Sequence, residues 1–146
     1  AQEVVTITFD EDSFTIIEYV PLGLNDKTSY YPLEKQRLHF HDNGYYKIDR
    51  EFLFQPPEFN RKMLFHIYNT NISLLNKLQK GLVLNEREQK DLENLPSTFM
   101  ICYLNGFEDA KQKLIDAKLL LKPHTSVYLS FKEALRILRK MKYDVQ

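Results

Sequence analysis

The sequence predicts an α+β fold, in which a small antiparallel N-terminal sheet built from hairpins is followed by three to five helices packed on one side. Apolar residues alternate with polar ones in the first part of the chain, a period of two that is typical of strands. After about residue 56 they recur every three or four positions, which is typical of helices. No repeat or flexible linker separates the two parts. We therefore predict a single domain over residues 1–146, with a β-rich part (1–55) and a helical part (56–146).

The first two strands are predicted on either side of an acidic turn, residues 10–13. Their alternating apolar residues are, in chain order, Val5, Ile7, Phe9, Phe14, Ile16 and Val20. Residues 21–36 contain two prolines and a glycine, which favour irregular structure. We therefore expect a loop there, with Tyr30 and Tyr31 either exposed or holding the loop in place.

A second hairpin is predicted over residues 37–49, RLHFHDNGYYKID, from the register of its two strands. A three-residue loop at 42–44, with Gly44 in the left-handed conformation, gives this hairpin one apolar face and one polar face. The apolar pairs are Phe40–Tyr46 and Leu38–Ile48, and the polar pairs are Arg37–Asp49, His39–Lys47 and His41–Tyr45. A two-residue loop would mix both kinds of residue on each face. We therefore expect the three-residue loop, with the apolar face on the core and the polar face in solvent.

The second part of the chain has the spacing of several helices. From Phe59 onward the pattern predicts either one helix with a weak centre at 69–71 or two short helices, ending at Gly81. Residues 97–104 are apolar and fit either a buried strand or a buried helical turn. Residues 107–121 predict an amphipathic helix, because their apolar side chains form one stripe.

Two capping-box patterns predict where further helices begin. Asn85 followed by Glu88 predicts the start of a short helix, and Pro96 is expected to close it. Ser130 followed by Glu133 predicts the start of the final helix.

Composition bounds the class of protein. The single cysteine, Cys102, lies in an apolar run, so we expect it to be buried and the protein to be soluble and cytoplasmic, in a reducing compartment. No stretch approaches the roughly 20 apolar residues of a membrane-spanning helix, so we expect no membrane contact. Formal net charge is zero, but residues 1–51 carry −5 and residues 52–146 carry +5. Such asymmetry is typical either of a self-compensating fold or of two faces with different partners.

The polar face of the second hairpin is the first candidate surface. Basic and aromatic residues together are common at protein interfaces and also contact phosphate and bases. The candidate partner-binding residues are Arg37, His39, His41, Tyr45 and Lys47, together with Tyr30 and Tyr31 of the preceding loop.

The polar side of the final helix is the second candidate surface. Opposite its apolar stripe it carries Lys132, Arg136, Arg139, Lys140 and Tyr143. Such a row can lie along nucleic-acid phosphates or meet an acidic protein, and cations near a helix C-terminus also offset the helix dipole.

One short motif resembles a known family. His39-Phe40-His41, a bulky apolar residue between two histidines, resembles the signature of the HUH single-strand nucleases. In that family the histidines hold a divalent ion and a helical tyrosine attacks DNA phosphate, so the resemblance implies a metal-dependent nuclease. The residues themselves supply no third ligand at a telling spacing, and Arg37 and Lys47 on the same face disfavour a cation. From the residues we predict no metal site and no cofactor.

The leading functional hypothesis is a small non-catalytic binding or regulatory module that acts through protein–protein contacts. The alternative is a nucleic-acid-binding protein that uses the basic final helix and the face formed by residues 37–47. A further alternative is an HUH-like metal-dependent single-strand nuclease. The sequence leaves the oligomeric state open.

Overall fold

The structure, a computed structural model, describes residues 5–24, 27–42, 44 and 46–141, and of Lys27, Tyr46 and Lys47 it describes only the main chain. It confirms the predicted α+β fold, since a four-stranded antiparallel N-terminal sheet is followed by four helices. The strands are β1 (Val5–Phe9), β2 (Ser13–Leu24), β3 (Lys27–Phe40) and β4 (Tyr46–Phe52). The helices are α1 (Arg61–Gln79), α2 (Glu86–Leu104), α3 (Asp109–Leu120) and α4 (Ser126–Lys140). Among the described residues, none of the helices has both the length and the hydropathy of a membrane-spanning segment.

The sheet has the strand order β1-β2-β3-β4, so each strand pairs with its neighbour in sequence. Ile7 lies opposite Ile16 and Phe9 opposite Phe14 in the first hairpin, as expected for its alternating pattern. The Asp10 amide donates to the Ser13 carbonyl at 2.8 Å, which closes a tight turn over the two residues between them.

The β3–β4 hairpin has the register that was predicted from a three-residue loop. Its pairs include Phe40–Tyr46, Leu38–Ile48, His39–Lys47 and Arg37–Asp49. Gly44 has a φ of +82°, the left-handed conformation that the loop requires and that glycine adopts without steric cost. The predicted pairing of His41 with Tyr45 lies outside the described residues, because Tyr45 is not among them.

The loop predicted at 21–36 is wrong, because β2 continues to Leu24 and β3 begins at Lys27. Proline removes a main-chain donor, but its fixed φ is compatible with extended chain. Val20, Leu22 and Leu24 are all buried and alternate with Pro21 and Gly23. This period of two extends the strand through the proline. Tyr30 and Tyr31 therefore lie in a strand.

The chain divides into two compact units. The first, the sheet unit, comprises the described residues within 1–21 and 28–55, and the second, the helical unit, comprises those within 22–27 and 56–146. In the helical unit α2 packs against each of the other three helices. Its central position explains why Leu95, Phe99 and Ile101 are fully buried.

The helical unit also includes the end of β2. The amide of Gly23 donates to Oγ of Ser97 at 2.7 Å, and the Ser97 hydroxyl donates to the Gly23 carbonyl at 3.2 Å. One α2 side chain thus satisfies both main-chain groups of this residue, beside the buried Leu22 and Leu24.

Two predicted helix ends are wrong. Pro96 does not close a helix but lies buried inside α2, and residues 97–104 are helical. A proline inside a helix costs about 3 kcal/mol, and burial of Leu92, Leu95 and Phe99 on either side outweighs it. Ser130 is not the N-cap of α4. The N-cap is Thr125, and Ser130 lies within the helix.

Other predicted helix features are confirmed. The capping box of Asn85 and Glu88 is present, with Glu88 N–H donating to Asn85 Oδ1 at 2.8 Å. The first long pattern forms one helix, α1, and not two. Its weak centre is held by side chains that bond one turn back, since Thr70 donates to the His66 carbonyl and Asn71 to that of Ile67.

Candidate functional site

The predicted polar face of the β3–β4 hairpin contains acidic partners for its bases. Nε2 of His39 lies 3.0 Å from Oδ2 of Asp49, and Arg37 lies 3.6 Å from the carboxylate of Asp10. These side chains are roughly one-third to three-fifths exposed, so each pairing is weak in energy. The face is therefore of mixed charge rather than uniformly basic.

The other predicted members of this surface are only partly placed together. His41 is exposed just after β3, and Lys47 pairs with His39 in register. Tyr45 lies outside the described residues. Tyr30 is nine positions before His39 on the same strand, about 30 Å away at 3.3 Å per residue. Tyr30 and Tyr31 therefore do not join the residues at the end of the hairpin.

The predicted basic face of the final helix lies on α4. Lys132, Arg136, Arg139 and Lys140 follow the spacing that puts side chains on neighbouring turns of one side. Lys132 and Arg139 are exposed, whereas Arg136 donates two hydrogen bonds to the carboxylate of Glu133. Tyr143 lies outside the described residues.

An HUH-type metal centre requires side chains that together hold a divalent ion. Within residues 5–24, 27–42, 44 and 46–141 there is no group of three or more His, Cys, Asp or Glu side chains arranged to hold a metal ion. Metal-dependent nuclease activity stays a prediction from the resemblance alone.

Cys102 is buried in α2, as predicted, and the burial raises the pKa of its thiol to about 11. The thiolate is the reactive form of cysteine, and it is scarce at neutral pH when the pKa is this high. This cysteine is a packing residue.

A cleft of about 420 Å³ in the helical unit is lined by residues 56–59, Arg61, Leu64, Leu104 and Asn105. Its polar groups are used within the fold. The side-chain amide of Asn105 donates through Nδ2 to the carbonyls of Pro57 and Ile101. Its Oδ1 accepts from the main-chain amide of Phe59. Arg61 donates to the Asn105 carbonyl and lies over the Phe107 ring at 4.9 Å. These contacts fasten residues 57–61 to the end of α2 and account for the polar lining.

The apolar side of the sheet was predicted to be buried, and this prediction is wrong. The prediction put Phe40 and Ile48 against the core, but they are 56% and 45% exposed. In β1, Ile7 and Phe9 are 54% and 75% exposed. Alternation shows which residues share a face of a sheet, but not whether anything covers that face.

The two hairpins present their apolar sides on the same face. Phe40 N–H donates to the Asp12 carbonyl at 3.1 Å, which in an antiparallel pair places Leu38 opposite Phe14. We call the resulting surface the apolar sheet face. Its members are Val5, Ile7, Phe9, Phe14, Ile16, Leu38, Phe40, Ile48 and Phe52.

The charge around this surface is mainly acidic. Glu18 lies opposite Val5 and Glu34 opposite Phe52, so both belong to this face, and Arg50 is a base on it, opposite Gln36. The three acidic residues of the first turn, 10–12, border its other end. The sequence of the described part of the sheet unit contains eight acidic and four basic residues, which gives a net charge of −4.

No curated protein and no solved structure matches the sequence significantly. Residues 1–144 match the model of a family described as "Domain of unknown function (DUF5929)". The match covers nearly the whole chain, and the protein therefore belongs to the DUF5929 family.

Proposed function

We propose that this protein is a non-catalytic binding module that acts through protein–protein contact, and that its partner binds the apolar sheet face. One observation carries the proposal: large apolar side chains from all four strands share one face, and Ile7, Phe9, Phe40 and Ile48 among them are exposed. Single exposed apolar residues are ordinary, but a contiguous apolar group on a protein surface is typical of an interaction site.

The chemistry of the partner follows from the border of this face. Acidic residues at both ends favour a partner with an apolar centre and basic residues around it, because complementary charges steer association and exclude wrong partners. The polar face of the β3–β4 hairpin is less suited to an anionic partner, since Arg37 and His39 already have the carboxylates of Asp10 and Asp49 beside them.

The proposal is tested by capture from extracts of the source cells with three forms of the protein. Phe40→Lys places a charge on the apolar sheet face, and Thr8→Lys places the same charge on the opposite face of β1, where Thr8 is exposed. We expect a protein that the unmodified chain and Thr8→Lys retain and that Phe40→Lys loses. The same set of proteins retained by all three forms would count against the apolar sheet face.

Nucleic-acid binding by α4 is a second candidate. The observation in its favour is the row of four bases along one side of the helix, two of which, Lys132 and Arg139, are exposed. Binding to labelled single- and double-stranded DNA or RNA should then weaken steeply as salt is raised, because phosphate contacts release counterions. Lys132→Glu with Arg139→Glu should abolish it. If the fluorescence anisotropy of all four labelled probes stays unchanged when the protein is added at low salt, nucleic-acid binding is excluded.

A further inference from the structure

The two edges of the sheet differ in chemistry. β4, at one edge, has the sequence YKIDREF, in which four of seven residues are charged. β1, at the other edge of the described sheet, has the sequence VTITF, with no charge, no proline and no glycine, and all five residues are exposed. Proteins commonly protect edge strands from pairing with another chain by charges and prolines. β4 has such protection and β1 does not.

The main-chain groups at the free edge of β1 can be assigned. The bond from Asp10 N–H to the Ser13 carbonyl fixes the alternation of the β1–β2 ladder. The main-chain groups of Thr6 and Thr8 therefore point toward β2, and those of Val5, Ile7 and Phe9 point away from it. These outward groups form a regular row of donors and acceptors.

We propose that β1 pairs with β1 of a second copy of this chain, antiparallel and centred on Ile7. In this register Ile7 faces Ile7 of the second copy and Val5 faces its Phe9, so every residue with outward main-chain groups meets another such residue. Each of these pairs then exchanges two main-chain hydrogen bonds. The side chains also match, because apolar residues face apolar ones on one face and Thr6 faces Thr8 on the other.

Charge is compatible with this pairing. No charged residue lies within β1, so no like charges face each other along the contact. The acidic turns of the two copies lie at opposite ends of the paired strands, about 17 Å apart for five residues. That separation exceeds the Debye length of roughly 8 Å at physiological salt, so repulsion between the turns is largely screened. The proposal concerns the edge of β1 and does not depend on the proposed function.

The test uses the fact that residue 7 faces itself only in this register. We expect the unmodified 146-residue chain to sediment as a monomer–dimer equilibrium between micromolar and millimolar concentration. Ile7→Lys alone and Ile7→Glu alone should both lose the dimer, because each places like charges opposite each other. An equimolar mixture of the two should regain it. The same pair of changes at Ile48, on β4 and on the same face, should leave the dimer intact.

A second measurement needs no variant. Amide hydrogen exchange at Val5, Ile7 and Phe9 should slow as protein concentration rises, whereas exchange at Thr6 and Thr8 should not depend on it. A chain that stays monomeric at millimolar concentration would overturn the proposal. So would a mixture of folded Ile7→Lys and Ile7→Glu chains that forms no dimer, or a dimer whose β1 amides exchange at the same rate as in the monomer.

Discussion

Phe9 and Phe14 face each other across the β1–β2 hairpin, with ring centroids 5.9 Å apart, and Phe9 remains 75% exposed. The contact holds the two rings together at the surface rather than in a core. On the same face Leu38 and Ile48 form the corresponding pair of the β3–β4 hairpin. The sheet unit thus presents apolar pairs to solvent, and this arrangement is the basis of the proposed function.

The first prediction concerns Phe9. Because its side chain is mostly exposed, Phe9→Ser should lower the free energy of unfolding by no more than about 1 kcal/mol. It should also reduce the fluorescence of a bound apolar dye such as ANS, since it removes exposed apolar surface. Phe99→Ala is the matched contrast, because Phe99 is fully buried and its truncation should cost about 3–5 kcal/mol. Urea unfolding and dye titration measure both effects, and equal stability losses for the two changes would contradict the assigned exposures.

The second prediction concerns Ser97. Ser97→Ala removes the hydroxyl that accepts from the Gly23 amide and donates to the Gly23 carbonyl. The loss should destabilise the protein by about 1–3 kcal/mol, since a part-buried amide is left without its acceptor. Ser130→Ala is the control, because Ser130 is exposed and its hydroxyl donates to the Ser126 carbonyl of its own helix. If both changes have the same small effect in urea unfolding, the bond to Gly23 contributes nothing to stability.

The third prediction is a pH dependence. The hydrogen bond from Lys77, at 2.6 Å, and that from the Asn85 amide hold the pKa of Glu88 below its ordinary value of 4.5. Because the folded-state pKa is depressed, the stability that Glu88 contributes is present above pH 4.5 and is lost as pH falls through the folded-state pKa. Glu88→Gln should remove this part of the pH dependence, which lies below pH 4.5. Identical pH slopes of unfolding free energy for the two proteins would contradict it.

The fourth prediction concerns His124, which has a φ of +71° in the α3–α4 connection. A residue with a Cβ is strained by about 1 kcal/mol or more in this left-handed backbone conformation, and glycine is not. His124→Gly should therefore raise the free energy of unfolding by roughly 0.5–1 kcal/mol, after the added entropy of the unfolded chain is counted. Thermal unfolding measures the change. Thr125→Ala, which removes the N-cap of α4, should act in the opposite direction by about 1 kcal/mol.

Much of the local structure was predictable from residue patterns. The turn chemistry around Gly44 and the alternation of Leu38 and Phe40 gave the β3–β4 register correctly, because a slip of one residue would have mixed the two faces. The capping box of Asn85 and Glu88 located the start of α2 in the same way, since it satisfies main-chain groups within one turn.

The rest depends on contacts that are distant in sequence. Pro96 is tolerated inside α2 because packing around it stabilises the helix, and a local rule does not include that packing. The exposure of Phe40 and Ile48 was mispredicted for a related reason. A period of two shows that they share a face, and only the arrangement of other elements decides whether that face is covered.

The signal that could have located the unprotected edge of the sheet lies in the sequences of the two edge strands. VTITF carries no charge, whereas four of the seven residues of YKIDREF are charged. Strand order is needed to use this contrast, because edge position is a property of the sheet and not of the segment.

The proposed function requires that the apolar sheet face bind a partner protein. Site-specific photocrosslinking in the source cells tests it most directly, with a photoreactive phenylalanine placed at Phe40 in one protein and at Thr8, on the opposite face, in another. We expect a crosslinked product between position 40 and a second, basic protein, which the position 8 form does not give. Crosslinking from position 8 with none from position 40 would contradict it, and so would the absence of any product from position 40.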